Sequence, residues 1–218
     1  MSFANTVRAI LTMGRGMIGG LSELRAGDDP VQMFRTWFDE AGRAGILLPE
    51  AMTLATATRD ARPSSRMVLL KGFDARGFLF FTNYESRKAA ELDDNPHAAL
   101  CFHWTVLQRQ VRIEGTVERI SAAESEAYFR TRTRGSRIGA WASRQSMPLD
   151  SRETLEARVQ EFDARYPGDD VPLPPFWGGY RLSPERIEFW QGRTNRLHDR
   201  LLFERNAAAA WNLRRLYP

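Results

Sequence analysis

RMVLLKGFDARGFLFFTNYESRK, residues 66–88, is the stretch from which the chain is best read. Two apolar runs, 66–71 and 78–82, flank the turn Asp74-Ala75-Arg76-Gly77. That pattern predicts a β-hairpin with strands over 65–72 and 77–83. Arg66 and Lys71 bracket the first run, and Ser86-Arg87-Lys88 opens a helix with Ser86 as its expected N-cap and Asn95-Pro96 as its stop. A helix start offers free N–H groups and the positive end of a dipole, which suit a phosphate. Cations in that first turn oppose the dipole, and a bound anion would remove the conflict. Arg66 and Lys71 stand five apart, so strand alternation points them to opposite faces. One ligand wrapping the strand edge, two ligands, or plain solvent charges would each account for them.

Working outward, the composition sets bounds. The chain has 218 residues, 43% hydrophobic and 27% charged, with net charge +4. A globular domain is expected. The excess of arginine fits an anionic small molecule as well as nucleic acid, and no nucleic-acid motif or basic tail supports the latter. Cys101 is the one cysteine, so no internal disulfide can form, and its mid-strand place predicts a buried, inert thiol. His97, His103 and His198 are scattered, so no metal site is expected. No apolar run approaches the ~18 residues of a membrane span. Arg8 and Arg15 interrupt the mildly apolar start, which is not read as a secretory signal, and the cytoplasm is the expected compartment. Nucleotide-binding glycine loops and a GxSxG turn are absent.

Residues 1–28, rich in Gly and Met, read as a flexible arm before a single domain over 29–218. Asp29-Pro30 starts a helix to about residue 43, with Phe34, Trp37, Phe38 and Ala41 on one apolar face. Strands are predicted over 51–58, 97–104 and 109–120; in the last, Val111, Ile113 and Val117 alternate with Arg112, Glu114 and Glu118. Ser121 and Glu124 form a capping box for a helix that Arg134-Gly135-Ser136 interrupts, and 138–143 reads as a short helical turn. A charged surface helix runs to residue 166, a proline-rich loop spans 167–175, and four strands (179–182, 186–191, 201–205, 211–216) close the chain. Strands dominate without βαβ units, so the class is mainly β, an antiparallel barrel or sandwich with peripheral helices.

Two further clusters carry polar chemistry. Tyr128, Arg132 and Ser136 recur at four-residue spacing, which on one helix makes a hydrogen-bond-donating stripe fit for a phosphate, or an ordinary amphipathic edge. If residues 195–200 are extended, Arg196, His198 and Arg200 share one face, which demands solvent or a ligand, and His198 could carry a proton.

The segments RMVLLK (66–71), FTNYESRK (81–88), RQVRIEG (109–115), SRIGAWASRQS (136–146), PPFWGGYRLSPERIEFWQG (174–192) and RLHDR (196–200) together closely resemble the pyridoxine/pyridoxamine 5′-phosphate oxidase family. The resemblance runs from about residue 29 to 218. It implies an FMN-binding split β-barrel and a homodimer with flavin at the subunit interface. It implies that FMN is held by Arg66, Met67, Val68, Leu69, Lys71, Phe81, Thr82, Arg87, Lys88, Gln110, Gln145, Ser146, Trp190 and Arg200. The substrate's 5′-phosphate is implied to sit on Lys71, Tyr128, Arg132 and Ser136, with Arg196 and His198 over the pyridine ring as the catalytic pair. The implied reaction takes pyridoxamine or pyridoxine 5′-phosphate to pyridoxal 5′-phosphate. A hydride leaves C4′ for the flavin, water hydrolyses the imine formed from the amine, and O2 reoxidises the flavin to give peroxide. A related oxidase on another ring, as in phenazine biosynthesis, and a non-catalytic flavin or pyridoxal-phosphate binder are the alternatives. One departure stands out: where the family often has an arginine-rich segment with a tyrosine that closes over substrate, this chain reads Met13-Gly14-Arg15-Gly16-Met17.

Overall fold

The structure, a computed structural model, describes Leu21 and residues 29–218. The expected arm over 1–28, with the Met13-to-Met17 stretch, therefore lies outside the described residues apart from Leu21.

Helix α1 (Pro30–Arg43) starts as its sequence dictates: Asp29 accepts a hydrogen bond from the Val31 N–H at 2.8 Å and Pro30 occupies the first turn. Its buried face places Phe34 at the centre of the core, edge-on to Phe73, Phe78 and Phe102. Strands β1 (Ala51–Ala57), β2 (Pro63–Leu69), β3 (Gly72–Asp74) and β4 (Gly77–Asn83) follow, then helix α2 (Arg87–Asp94). Next come β5 (His97–Trp104), β6 (Arg109–Arg119) and three helices, α3 (Ala122–Arg130), α4 (Arg134–Ala142) and α5 (Arg152–Arg165). Strands β7 (Trp177–Gln191), β8 (Asp199–Arg205) and β9 (Trp211–Leu216) close the chain. Every ladder is antiparallel, in the order β2-β1-β5-β6-β7-β4-β3, with β8 and β9 continuing from β7. Since β2 and β3 end that path yet adjoin in sequence, the sheet curls back on itself as an incompletely closed barrel.

Four expectations are corrected. The hairpin over 65–83 shrinks to β3–β4, because β2 pairs along its whole length with β1 instead. The chain crosses from one end of the sheet to the other at Leu70-Lys71. Strands expected at 179–182 and 186–191 are one strand, β7, whose register shifts opposite Glu114/Gly115. Gly115 is required there, because a Cβ would collide with the Ser183 carbonyl. The Arg134-Gly135-Ser136 segment begins α4 rather than interrupting a helix, since Thr133 caps it by accepting from Ser136 N–H. Ser86 precedes α2 but makes no capping bond; its hydroxyl donates to the Asn83 carbonyl at 2.7 Å.

The Ser121/Glu124 capping box is present. On α5 only Phe162 is buried, packed with Ile138, Ala142 and Val171 in a small second cluster. Cys101 is half-buried, and burial pushes its thiol pKa up, in keeping with an inert thiol.

Candidate functional site

A cleft of about 430 Å³ opens where β2, β4, α2 and α3 meet. Its lining includes Arg66, Met67, Val68, Leu69, Lys71, Phe81, Thr82, Lys88, Tyr128, Arg132 and Gln145, all anticipated from the sequence, and Trp177, which was not. Arg66 and Lys71 line one cleft rather than opposite faces, for a local reason. Strand β2 ends at Leu69, so alternation does not carry through to Lys71, and both cations reach one cleft.

One side of the cleft is a bonded network of cations. Arg66 donates from Nη1 to Thr56 Oγ1 (2.5 Å) and from Nη2 to Ser64 Oγ (2.5 Å) and Glu91 Oε2 (3.2 Å). Lys88, 8% exposed, donates to Thr82 Oγ1 (3.1 Å), Ser86 Oγ (3.2 Å) and Gln145 Oε1 (2.6 Å). Burial, with the Arg66 charge beside it, pushes the Lys88 amine down to about 8, and Glu91 only partly offsets this. The loop after α4 is pinned here as well. Thr82 Oγ1 donates to Gln145 Oε1 at 2.9 Å, and the Arg87 N–H at the helix start donates to Ser146 Oγ at 3.2 Å. Arg87, Lys88, Gln145 and Ser146 are thus brought together, as expected.

The other side is aromatic. The Tyr128 ring stacks on Phe81 with centroids 3.9 Å apart, and Trp177 stacks on Phe81 at 5.4 Å. Gly179 lets Phe81 lie flat on the backbone of β7, since a Cβ would sit 2.8 Å from its ring. The Arg132 guanidinium lies 4.6 Å over the Trp177 ring, and its buried Nη1 has no hydrogen-bond partner among the described residues. Burial lowers the Arg132 pKa and raises that of the Tyr128 phenol. An orphaned, buried guanidinium N–H facing an open cleft fits an absent anion. Ser136 does not join this set. The chain turns at Thr131–Thr133, which puts Ser136 on α4, exposed, with its hydroxyl 2.9 Å from Thr133 Oγ1. The predicted single stripe is therefore two residues and a separate third.

The remaining residues form a second group. Gln110 faces Trp190 across β6–β7, and Trp190 faces Arg200 across β7–β8. The His198 ring packs on Trp190 at 4.6 Å, and its Nδ1 accepts from the Arg193 N–H at 3.1 Å. Arg200 donates to both Glu188 oxygens, at 2.9 and 3.1 Å. Residues 194–196 form a 3-10 turn with Asn195 and Arg196 at positive φ, so the extended strand that would align Arg196, His198 and Arg200 does not exist. Arg196 is exposed.

Strand β7 spans both groups. Phe81 pairs with Gly179 near its start, and Trp190 lies eleven residues on, roughly 36 Å along the strand.

Two residues of evident structural weight escaped the sequence reasoning. Glu91 is signalled by its i,i+4 spacing from Arg87, while Trp177 stands inside a quoted motif with nothing local to mark it.

Comparison with known proteins bears on both groups. Residues 38–166 match the family model described as pyridoxamine 5′-phosphate oxidase, and residues 177–218 match the pyridoxine 5′-phosphate oxidase C-terminal dimerisation region. A pyridoxine/pyridoxamine 5′-phosphate oxidase of Psychromonas ingrahamii is 54% identical over 100% of both chains, and one of Rubrobacter xylanophilus is 61% identical over 91% of each. Among solved structures, PhzG from Burkholderia lata in complex with tetrahydrophenazine-1-carboxylic acid is 33% identical, with TM-score 0.83, over 92% of this chain and 100% of that one. A pyridoxamine 5′-phosphate oxidase-related, FMN-binding protein from Nostoc punctiforme shares the fold at TM-score 0.73 and 20% identity, over 88% and 99%.

Proposed function

The chain belongs to the pyridoxamine 5′-phosphate oxidase family, and from that premise we propose that it oxidises pyridoxamine and pyridoxine 5′-phosphates to pyridoxal 5′-phosphate with FMN as cofactor. The observation that carries this is the cleft with two anion grips, the Arg66/Lys88 network on one side and Tyr128/Arg132 on the other, with Lys71 in the same lining. Two phosphorylated ligands meeting edge to edge need two such grips.

In this reading Arg66, Arg87, Lys88, Thr82, Gln145 and Ser146 hold the FMN phosphate and Met67–Leu69 line its ribityl and ring path. FMN, when bound, supplies a two-electron acceptor that O2 can regenerate with release of peroxide. Lys71, Tyr128 and Arg132 anchor the substrate phosphate, with Ser136 reaching it from the exposed start of α4, and this fixes C4′ in space. The orphaned Arg132 Nη1 gains its missing acceptor there. Trp177 holds the Arg132 guanidinium flat by cation–π contact. Arg196 and His198 lie over the pyridine ring, and His198 presents Nε2 for proton exchange.

The placing of the two groups at opposite ends of β7 supports a site with two contributors. One protomer supplies the cleft, and its partner supplies Gln110, Trp190, Arg196, His198 and Arg200 across a dimer formed through residues 177–218. A phenazine-type substrate is the second reading, favoured by the PhzG likeness. Its ring carries a carboxylate in place of a phosphate ester, which offers fewer acceptor oxygens to the Lys71, Tyr128 and Arg132 donors. The test is to load the protein with FMN and add pyridoxamine 5′-phosphate in air. An aldehyde absorbance and peroxide are expected. A colourless protein that takes up no FMN would overturn the assignment.

A further inference from the structure

Glu91 belongs to neither anion grip, yet it ties the cationic floor together. Its side chain is 4% exposed and sits four residues after Arg87 on α2. Oε1 accepts from Arg87 Nε at 2.8 Å. Oε2 accepts from Thr56 Oγ1 (2.5 Å), Ser64 Oγ (2.6 Å) and Arg66 Nη2 (3.2 Å). Burial alone would raise the carboxyl pKa, but the hydrogen bonds from Ser64, Thr56, Arg87 and Arg66 together hold it at about 2.

A carboxylate is a liability beneath a phosphate site, because its charge repels the ligand. Its geometry supplies the counterweight. Glu91 takes Arg87 through Nε, and no bond from the described residues occupies that arginine's two terminal nitrogens. It also takes Arg66 on the neighbouring strand, so one side chain spans α2 and β2 and sets the spacing of two guanidinium groups. Two long cationic side chains otherwise lose rotamer freedom when a ligand orders them, which weakens binding.

We propose that Glu91 is a positioning residue for phosphate recognition: it pre-orients Arg66 and Arg87, so preference for a phosphorylated flavin depends on a carboxylate that does not touch the phosphate. This rests on the reading of those arginines as holders of the FMN phosphate, and the test separates the two.

The measurement is binding of FMN and of riboflavin to the flavin-free protein, followed by quenching of flavin fluorescence. The two ligands differ only in the phosphate, so a general loss of structure weakens both. Glu91→Gln keeps the size and removes the charge. FMN Kd is expected to rise about tenfold, with riboflavin Kd within about twofold of the native value. Equal changes for both ligands, no change in either, or tighter FMN binding would each overturn the proposal. The last would mean that Glu91 acts only as a repulsive countercharge. Should the amide variant not fold, Glu91→Asp carries the test, because it keeps the charge and shortens the reach to Arg87. The same preference falls severalfold, and an unchanged preference overturns the proposal. Arg87→Ala is the reference. If it leaves the preference intact, the phosphate site is misassigned and the role of Glu91 falls with it. If Arg87→Ala abolishes the preference and both Glu91 variants retain it, the Glu91 proposal alone falls.

Discussion

The floor of the cleft and the loop at 192–200 use the same residue types, arginine against carboxylate, to opposite effect. On the floor, Lys88 and Glu91 are buried, Arg66 is half-buried, and together they bond to neighbours on β1, β2, α2 and β4. In the loop, Arg193 and Arg215 pair with Asp199 and Arg200 with Glu188, and these bonds secure its edges. Arg196 at its crest is exposed on a left-handed backbone. A residue outside the favoured backbone region is held there by its surroundings. The contrast separates two tasks. A cofactor that stays bound benefits from a prebuilt grip, whereas a group that acts on a passing substrate must be reachable.

The sharpest way to break this contrast is Arg196→Ala. We expect turnover to fall by about 100-fold while FMN Kd moves less than about twofold. Loss of FMN with normal turnover per bound flavin would put Arg196 on the cofactor side. Next in size is Arg132→Ala, which removes a charge-assisted grip and should raise KM for pyridoxamine 5′-phosphate by about 30-fold, with little change in FMN affinity. An unaltered KM would detach the aromatic side of the cleft from the substrate.

A smaller, graded effect follows from Lys88. Burial pushes its amine down to about 8 from the ordinary 10.5, and a phosphate bound beside it would favour the charged form. FMN affinity should therefore be full below pH 8 and weaken by about tenfold per pH unit above it, until the pKa of the bound state is reached. The stability of the flavin-free protein runs the other way. A lysine depressed in the folded state costs stability below pH 8, and that cost is relieved between 8 and 10.5. Affinity flat from pH 7 to 10 would place Lys88 away from the phosphate. Smallest is Trp177→Leu, where loss of the cation–π contact should raise substrate KM by about fivefold; a larger effect on FMN than on substrate would reassign Trp177.

The cofactor side was legible in sequence because its cations sit in one short stretch, 66–88, whose strand and helix signals are local. What could not be read there was pairing. Nothing in residues 65–83 says that β2 prefers β1 to β4, because the partner it takes, β1 with its fully buried Met52 and Leu54, lies outside that stretch. The bulge that keeps β7 continuous past Pro184 depends on its partner Gly115, about seventy residues earlier. Ser136 was misplaced because a cap at Thr133 restarts the helix, and the four-residue spacing hid that break. Glu91 was passed over since a lone i,i+4 pair reads as surface charge until Thr56 and Ser64 are seen to bury it.

The central claim is that one active site takes its cleft from one protomer and its Arg196 loop from the other. It is tested by co-expressing Arg132→Ala and Arg196→Ala chains under different tags and isolating the dimer that carries both. In a shared site both lesions fall on one of the two centres and leave the other intact, so at pyridoxamine 5′-phosphate well below the native KM, where both lesions lower the rate, the mixed dimer should show about half the native oxidase activity. Activity no higher than that of either variant alone would place the whole site within a single chain and contradict the account.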